Sequence, residues 1–175
     1  EDDVDAMSDD DAAEDVWDID VTAMNFRSMP KMDTFGTCDA YLVFQLQGHE
    51  YHTEDVTGYQ GEWNQDFHWD AIEGHNCNLL VKCYDKDKFD KDDFIGSCTI
   101  PLRKIIKKDF EKGFNLKDSS SQLVRGTDGK ATTVYLRLRG QRSQRQISSL
   151  VAGINNDHHA EALEELCRSL YQKKW

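Results

Sequence analysis

No apolar run in this chain approaches the roughly 20 residues a membrane-spanning helix needs, and hydrophobic residues make up only 38% of its 175 positions. Those figures read as a soluble protein, and the opening residues carry no signal-peptide pattern. Basic side chains are also scarce, with 21 Lys and Arg against 33 Asp and Glu and a net charge of −12. Such a balance makes a poor nucleic-acid binder unless a basic patch is segregated from the rest, so no nucleic-acid partner is expected. Catalytic fingerprints are missing too: there is no GxSxG, no GxGxxG, no Walker loop and no HExxH. The chain therefore reads as something other than an enzyme. The five cysteines (Cys38, Cys77, Cys83, Cys98 and Cys167) are odd in number and form no CxxC. That pattern suits reduced thiols in a cytosolic compartment. Neither His75-x-Cys77 with Cys83 nor Asp157-His158-His159 has zinc spacing.

What is present is unevenly arranged. Residues 1–15 hold nine acidic groups and no basic one, which predicts a self-repelling, disordered acidic arm. From Trp17 a strict alternation begins, with Trp17, Ile19, Val21 and Ala23 on one face and Asp18, Asp20 and Thr22 on the other. Period two over such a length predicts a half-buried strand. The same pattern recurs at Ala40–Gln47, in Trp63, Gln65, Phe67 and Trp69, in Leu79, Val81 and Cys83, near 94–102, and in Val134, Leu136 and Leu138. A short run at 113–117 brings the expectation to eight strands of an antiparallel all-β sandwich. Two stretches break the pattern. Residues 103–112, with Ile105, Ile106 and Phe110 inward, predict a short helix carrying the basic residues Arg103, Lys104, Lys107, Lys108 and Lys112. Beyond Gly140, Ala160, Leu163, Leu166, Cys167 and Leu170 recur at helical spacing, which predicts a helical extension over 141–175.

One stretch dominates the chemistry. Residues 85–93 read Asp-Lys-Asp-Lys-Phe-Asp-Lys-Asp-Asp, five carboxylates in nine positions between two strand-like runs. Carboxylates that close repel one another unless a cation neutralises them, and Ca2+ takes about 6–8 oxygen ligands of this kind. The loop is not an EF-hand: counting from Asp85, Asp90 stands at the obligatory glycine and Gly96 at the closing glutamate.

Together with the loop at 28–39 and the strand at 40–47, this stretch resembles the C2 domain, the calcium- and phospholipid-binding sandwich of protein kinase C and the synaptotagmins. The family pattern has two Asp six apart in a first loop, here Asp33 and Asp39. Its third loop carries Asp-x-Asp and a further Asp six residues on, here Asp85, Asp87 and Asp93. The resemblance covers residues 16–140, and it implies a Greek-key sandwich of the permuted type II topology whose final strand is 133–139. It also implies two or three Ca2+ held by those five Asp, with the backbone carbonyls of Met32 and Lys86. Asp90 stands where some members use an extra oxygen ligand.

There are departures. Cys38-Asp39-Ala40-Tyr41 replaces Ser-Asp-Pro-Tyr, and residues 41–57, where some members carry a lysine-rich phosphoinositide site, contain no Lys or Arg. The implied function is calcium-dependent docking of a cytoplasmic protein to anionic phospholipid, with phosphatidylserine the expected headgroup. Phe35, Phe89, Lys88 and Lys91 are the expected lipid contacts. The alternative is a protein-interaction adaptor in which the C-terminal helix or the acidic arm holds a partner and calcium is structural or absent.

Overall fold

The computed structural model describes residues 16–32, 36–74 and 76–143. The acidic arm, the C-terminal extension beyond Ser143, Asp33, Phe35 and His75 lie outside those residues. Two antiparallel sheets face each other across one apolar core. The first has the order β5 (Gly61–Glu73), β1 (Val16–Arg27), β9 (Thr133–Arg142), β8 (Phe110–Asn115). The second has the order β3 (His49–His52), β2 (Asp39–Leu46), β6 (Asn78–Asp85), β7 (Asp93–Pro101), with the two-residue β4 (Val56–Thr57) also on β2. β3 and β4 pair with opposite ends of β2, at 43–46 and 39–40. They are two halves of one edge strand, interrupted at Thr53, whose hydroxyl accepts the Leu42 N–H at 2.9 Å. The eight-stranded sandwich expected from the sequence is therefore present. The first and last described strands, β1 and β9, are neighbours, which is the permuted arrangement.

The alternating positions behave as their period requires. Trp17, Ile19, Val21 and Ala23 of β1, Leu42, Phe44 and Leu46 of β2, Leu79, Val81 and Cys83 of β6, and Val134, Leu136 and Leu138 of β9 are all buried. The Trp63 indole N–H donates to the Ala40 carbonyl at 3.1 Å and ties one sheet to the other.

Asp18 departs from the alternation. Period two assigns it to the solvent face, yet it is 6% exposed. The register of β1 and β5 slips between Trp17/Ile72 and Ile19/Trp69, and Ala71 at the slip has φ 53°. This bulge leaves the Ala71 N–H outside the ladder, and the Asp18 carboxylate accepts it at 3.1 Å. It also moves the buried position of β5 from odd to even numbering, so that Trp69 and Ile72 both reach the core. Asp18→Ala leaves that amide without its acceptor, and chemical denaturation is expected to show a loss of about 1–3 kcal/mol.

The predicted helix at 103–112 is shorter than expected. Helix α1 spans Leu102–Lys107, and Lys108 is already extended at φ −163°. Phe110 belongs to β8, where Phe110, Lys112 and Phe114 oppose Leu138, Leu136 and Val134. The spacing of Ile105, Ile106 and Phe110 fits one helical face, but pairing with β9 wins from Phe110 onward. At the other end of the chain the last strand runs past the expected boundary to Arg142. Gly140 is what allows this: a Cβ there would stand 3.0 Å from the Ile106 Cα of α1.

Across the outer face of the first sheet, His68 of β5 reaches Asp20 of β1 through Nδ1 at 2.6 Å and Asp70 through Nε2 at 2.8 Å. The hydrogen bond to Asp20 raises the imidazole pKa above its ordinary value, with Asp70 adding to the effect against some desolvation. A raised histidine pKa contributes stability that is complete below about pH 6.5, the unfolded value. That contribution is lost as pH rises through the folded value. The stability difference between the protein and His68→Gln is expected to shrink over that interval when unfolding is followed against pH.

Candidate functional site

The strand directions gather four connections at one end of the sandwich. β1 ends at Arg27 beside Thr133, β5 starts at Gly61 beside Phe26, and β6 ends at Asp85 beside Asp93. Residues 28–32, 36–38, 58–60, 86–92 and 116–132 therefore share that end. Backbone hydrogen bonds from Met29 to Tyr59 (2.9 Å) and from Gly58 to Cys38 (2.8 Å) join the first three. Helix α1 follows the opposite end of β7, so its Arg103, Lys104 and Lys107 lie away from the acidic loops.

The period of β6 explains the central carboxylate. After Leu79, Val81 and Cys83 the next inward position is Asp85, which is 4% exposed. Its Oδ1 accepts the Asp39 backbone N–H at 2.7 Å, while the Lys86 N–H donates to the Asp39 carbonyl at 2.9 Å. These two contacts, with Ala40 opposite Asp85 in the register, clasp the start of β2 to the end of β6. Asp93 is opposite Asp85 on the other side. Asp39, Asp85 and Asp93 are thus brought to neighbouring positions on three adjacent strands.

The remaining acidic groups are held by donors within the loops. The Asp39 carboxylate accepts the Thr57 hydroxyl. Asp87 accepts the Phe89 N–H at 2.8 Å, and exposed Asp90 accepts the Lys91 N–H at 2.8 Å. Asp92 takes the Tyr41 hydroxyl at 2.6 Å and the Asp87 N–H at 3.0 Å. Burial and the bond to Asp92 push the Tyr41 pKa up, and the Tyr41 hydroxyl in turn draws the Asp92 pKa down. Lys86 Nζ is 2.5 Å from Asp55 Oδ1, which raises the lysine pKa. Lys86 is therefore tied across to the gap between β3 and β4.

Among the described residues no three carboxylates already converge as a closed metal cluster. The donor set nevertheless suits a hard cation. It is all oxygen, it is supplied by strand ends fixed by the sheet, and the loop carboxylates are held by exchangeable hydroxyl and amide donors. Tyr41, Thr57, Asp55 and Asp92 are the participants that the spacing of acidic residues did not single out. Tyr41 and Thr57 carry no signal without the register that sets them beside the loop.

At the loop tip Phe89 is 98% exposed, with exposed Lys88 and Lys91 around it. Met32 is 38% exposed. The described cysteines are thiols rather than disulfides. Burial pushes Cys98 up to about 12 and Cys83 well above its ordinary value, so both stay protonated at neutral pH. No helix of the described residues is long and apolar enough to cross a membrane.

Two packed antiparallel sheets with acidic residues gathered at one end define a β-sandwich with a carboxylate-rich rim. The C2 domain family model matches residues 17–116, and the chain belongs to that family. It is 27% identical over 120 residues to the 16 kDa phloem protein 1 of Arabidopsis thaliana, covering 61% of this chain and 77% of that one. It is 26% identical over 109 residues to the mouse Multiple C2 and transmembrane domain-containing protein 1, with 61% of this chain covered but only 11% of that longer protein. Among solved structures, the calcium-bound pair of C2 domains from Extended-Synaptotagmin 2 superposes with a TM-score of 0.60 at 18% identity, covering 80% of this chain and 52% of that one. At that identity the likeness speaks for the fold.

Proposed function

We propose that this C2 domain docks to anionic phospholipid membranes when Ca2+ is bound at its acidic loop rim. The observation that supports the reading is the clasp between the start of β2 and the end of β6, in which the Asp39 N–H donates to the Asp85 carboxylate at 2.7 Å and so brings two acidic residues distant in sequence to one end of the sheet. Asp33, Asp39, Asp85, Asp87 and Asp93 would hold the ion, with the carbonyls of Met32 and Lys86 and with Asp90 nearby. When bound, Ca2+ supplies the positive charge that turns a repelling rim into an attracting one.

The charge balance agrees with a switch of this kind. Residues 16–140 carry 16 basic and 20 acidic side chains, so two divalent ions bring the module to neutrality and leave its rim locally positive. Lys88 and Lys91 then add short-range attraction to phosphatidylserine, and Phe89 and Phe35 enter between headgroups. A phenylalanine 98% exposed to water has apolar surface to gain from such a surface. Lys86 is left out of the lipid contacts because its ammonium is committed to Asp55. The basic face of α1 points away from a membrane engaged by the loops. The protein is read as cytoplasmic and recruited to membranes by calcium, with the C-terminal segment as the contact for a protein partner.

Vesicle co-sedimentation across a calcium titration, with and without phosphatidylserine and with EGTA as control, tests the reading. Pelleting is expected to need both the ion and the anionic lipid. Pelleting that persists in EGTA would shift the weight to α1, and none under any condition would leave the adaptor role.

A further inference from the structure

Beside the acidic rim, on the outer face of the other sheet, lies a cleft of about 1150 Å3. Its walls come from the end of β1, the 58–61 turn and the 127–131 turn. These turns are held tightly: the Thr132 hydroxyl donates to the Ser28 carbonyl at 2.6 Å, and a Cβ on Gly126 would stand 2.4 Å from that same oxygen. Two cations face the cleft. The Arg27 guanidinium lies over the Tyr135 ring, 5.4 Å from its centroid. That ring is itself seated on β8, where a Cβ on Gly113 would come within 2.9 Å of it. Lys130 of the 127–131 turn also lines the cleft.

Two acids share the cleft, and both are held by neutral donors. Asp128 accepts the Ser28 hydroxyl at 2.8 Å and the Lys130 N–H at 3.0 Å, and Glu62 accepts the Asn64 amide at 3.1 Å. Among the described residues the ion pairs formed by Lys and Arg within 4 Å are Lys86–Asp55, Arg137–Glu111 and Arg139–Asp109, so neither Arg27 nor Lys130 is held in a close ion pair. The hydrogen bonds to Asp128 lower its pKa, and the Lys130 charge reaches it and adds to that effect.

We infer that this cleft is a second headgroup site, which takes the phosphodiester of an amine-bearing phospholipid without calcium. A guanidinium fixed on an aromatic ring matches a phosphate bidentately, and the lysine adds a point charge. Glu62 and Asp128 stand within the same cleft for the amine of the headgroup. Position commits the ligand to a lipid: Ser28 is both a wall of the cleft and the first residue of the 28–38 loop, so the cleft opens at the end assigned to the membrane. The inference rests on that membrane-docking reading for the source of the phosphate, but not on the ion.

The test uses the full chain in EGTA, titrated with glycerophosphoserine and, separately, with inorganic phosphate. The NMR signals of the Arg27 side-chain Nε–H and the Tyr135 ring are followed. Glycerophosphoserine is expected to shift both saturably. Arg27→Gln with Lys130→Gln should weaken binding by roughly tenfold or more. Both side chains are exposed, so the core is spared. Asp87→Asn with Asp93→Asn should leave the titration unchanged, which separates this site from the calcium rim. No saturable shift, or a shift that survives the Arg27 and Lys130 substitutions, overturns the site. Inorganic phosphate binding as tightly as glycerophosphoserine overturns its assignment to lipid.

Discussion

Asp87→Asn combined with Asp93→Asn is expected to abolish calcium-dependent pelleting with phosphatidylserine vesicles, a loss of more than about 100-fold in apparent affinity. On the proposed reading, each substitution would remove a charged oxygen ligand from a cation that prefers carboxylates. The two come from opposite ends of one loop, so the remaining donors cannot close the shell from one side. Both positions lie near the water-facing rim rather than in the core, and Asp93 is exposed. The double variant should therefore keep the melting temperature of the parent in EGTA. Unchanged pelleting in a folded double variant would remove these residues from the site. A loss of pelleting with a collapse in stability would instead require the same measurement on each single variant.

The second large effect is a change of sign between two conditions. Asp85→Asn keeps an oxygen that can accept the Asp39 N–H but removes the negative charge of a side chain that is 4% exposed. In EGTA the variant is expected to unfold at the parent's temperature or above it, because a buried charge has been exchanged for a neutral acceptor. In calcium the order reverses. Binding to the folded state alone stabilises the parent by about 2.7 kcal/mol at a free concentration 100 times Kd, and the variant gains little of this. Thermal unfolding of both proteins with and without the ion measures the reversal. Equal stabilisation of both would place the ion away from Asp85.

Much of this architecture is legible in alternation. A run such as Leu79, Val81, Cys83 names its own inward face, and extending it by one step puts Asp85 at the head of the core. The two halves of the acidic rim are related in the sequence only through the family pattern, because nothing local to Asp39 says that β2 lies beside β6. Asp18 escapes the alternation for a different reason. Its burial depends on an extra residue in the partner strand at Ala71, and a bulge leaves no mark on the strand it faces. The 103–112 stretch is ambiguous in itself. Ile105, Ile106 and Phe110 fit a helix, Phe110 and Phe114 fit a strand, and only the presence of Leu138 and Val134 across the gap decides. Asp33 and Phe35 are outside the described residues, so the first loop's share of the rim rests on the sequence pattern alone.

The adjacency of β1 and β9 has a mechanical consequence. Val16 and Ser143 meet at the same end of the sheet, joined by the Ser143 N–H on the Val16 carbonyl at 2.8 Å, and the two strands run antiparallel from there. Tension applied through the flanking segments would load the cross-strand bonds one after another, as a zipper is opened, rather than all at once in shear. A pulling experiment with handles at these two points should therefore separate β9 from β1 at low force, with the rupture travelling from Trp17 toward Arg27. The acidic rim sits at the far end of that path. Its carboxylates stand on β2, β6 and β7 of the facing sheet, so their own strand pairing would outlast the opening of β9 from β1.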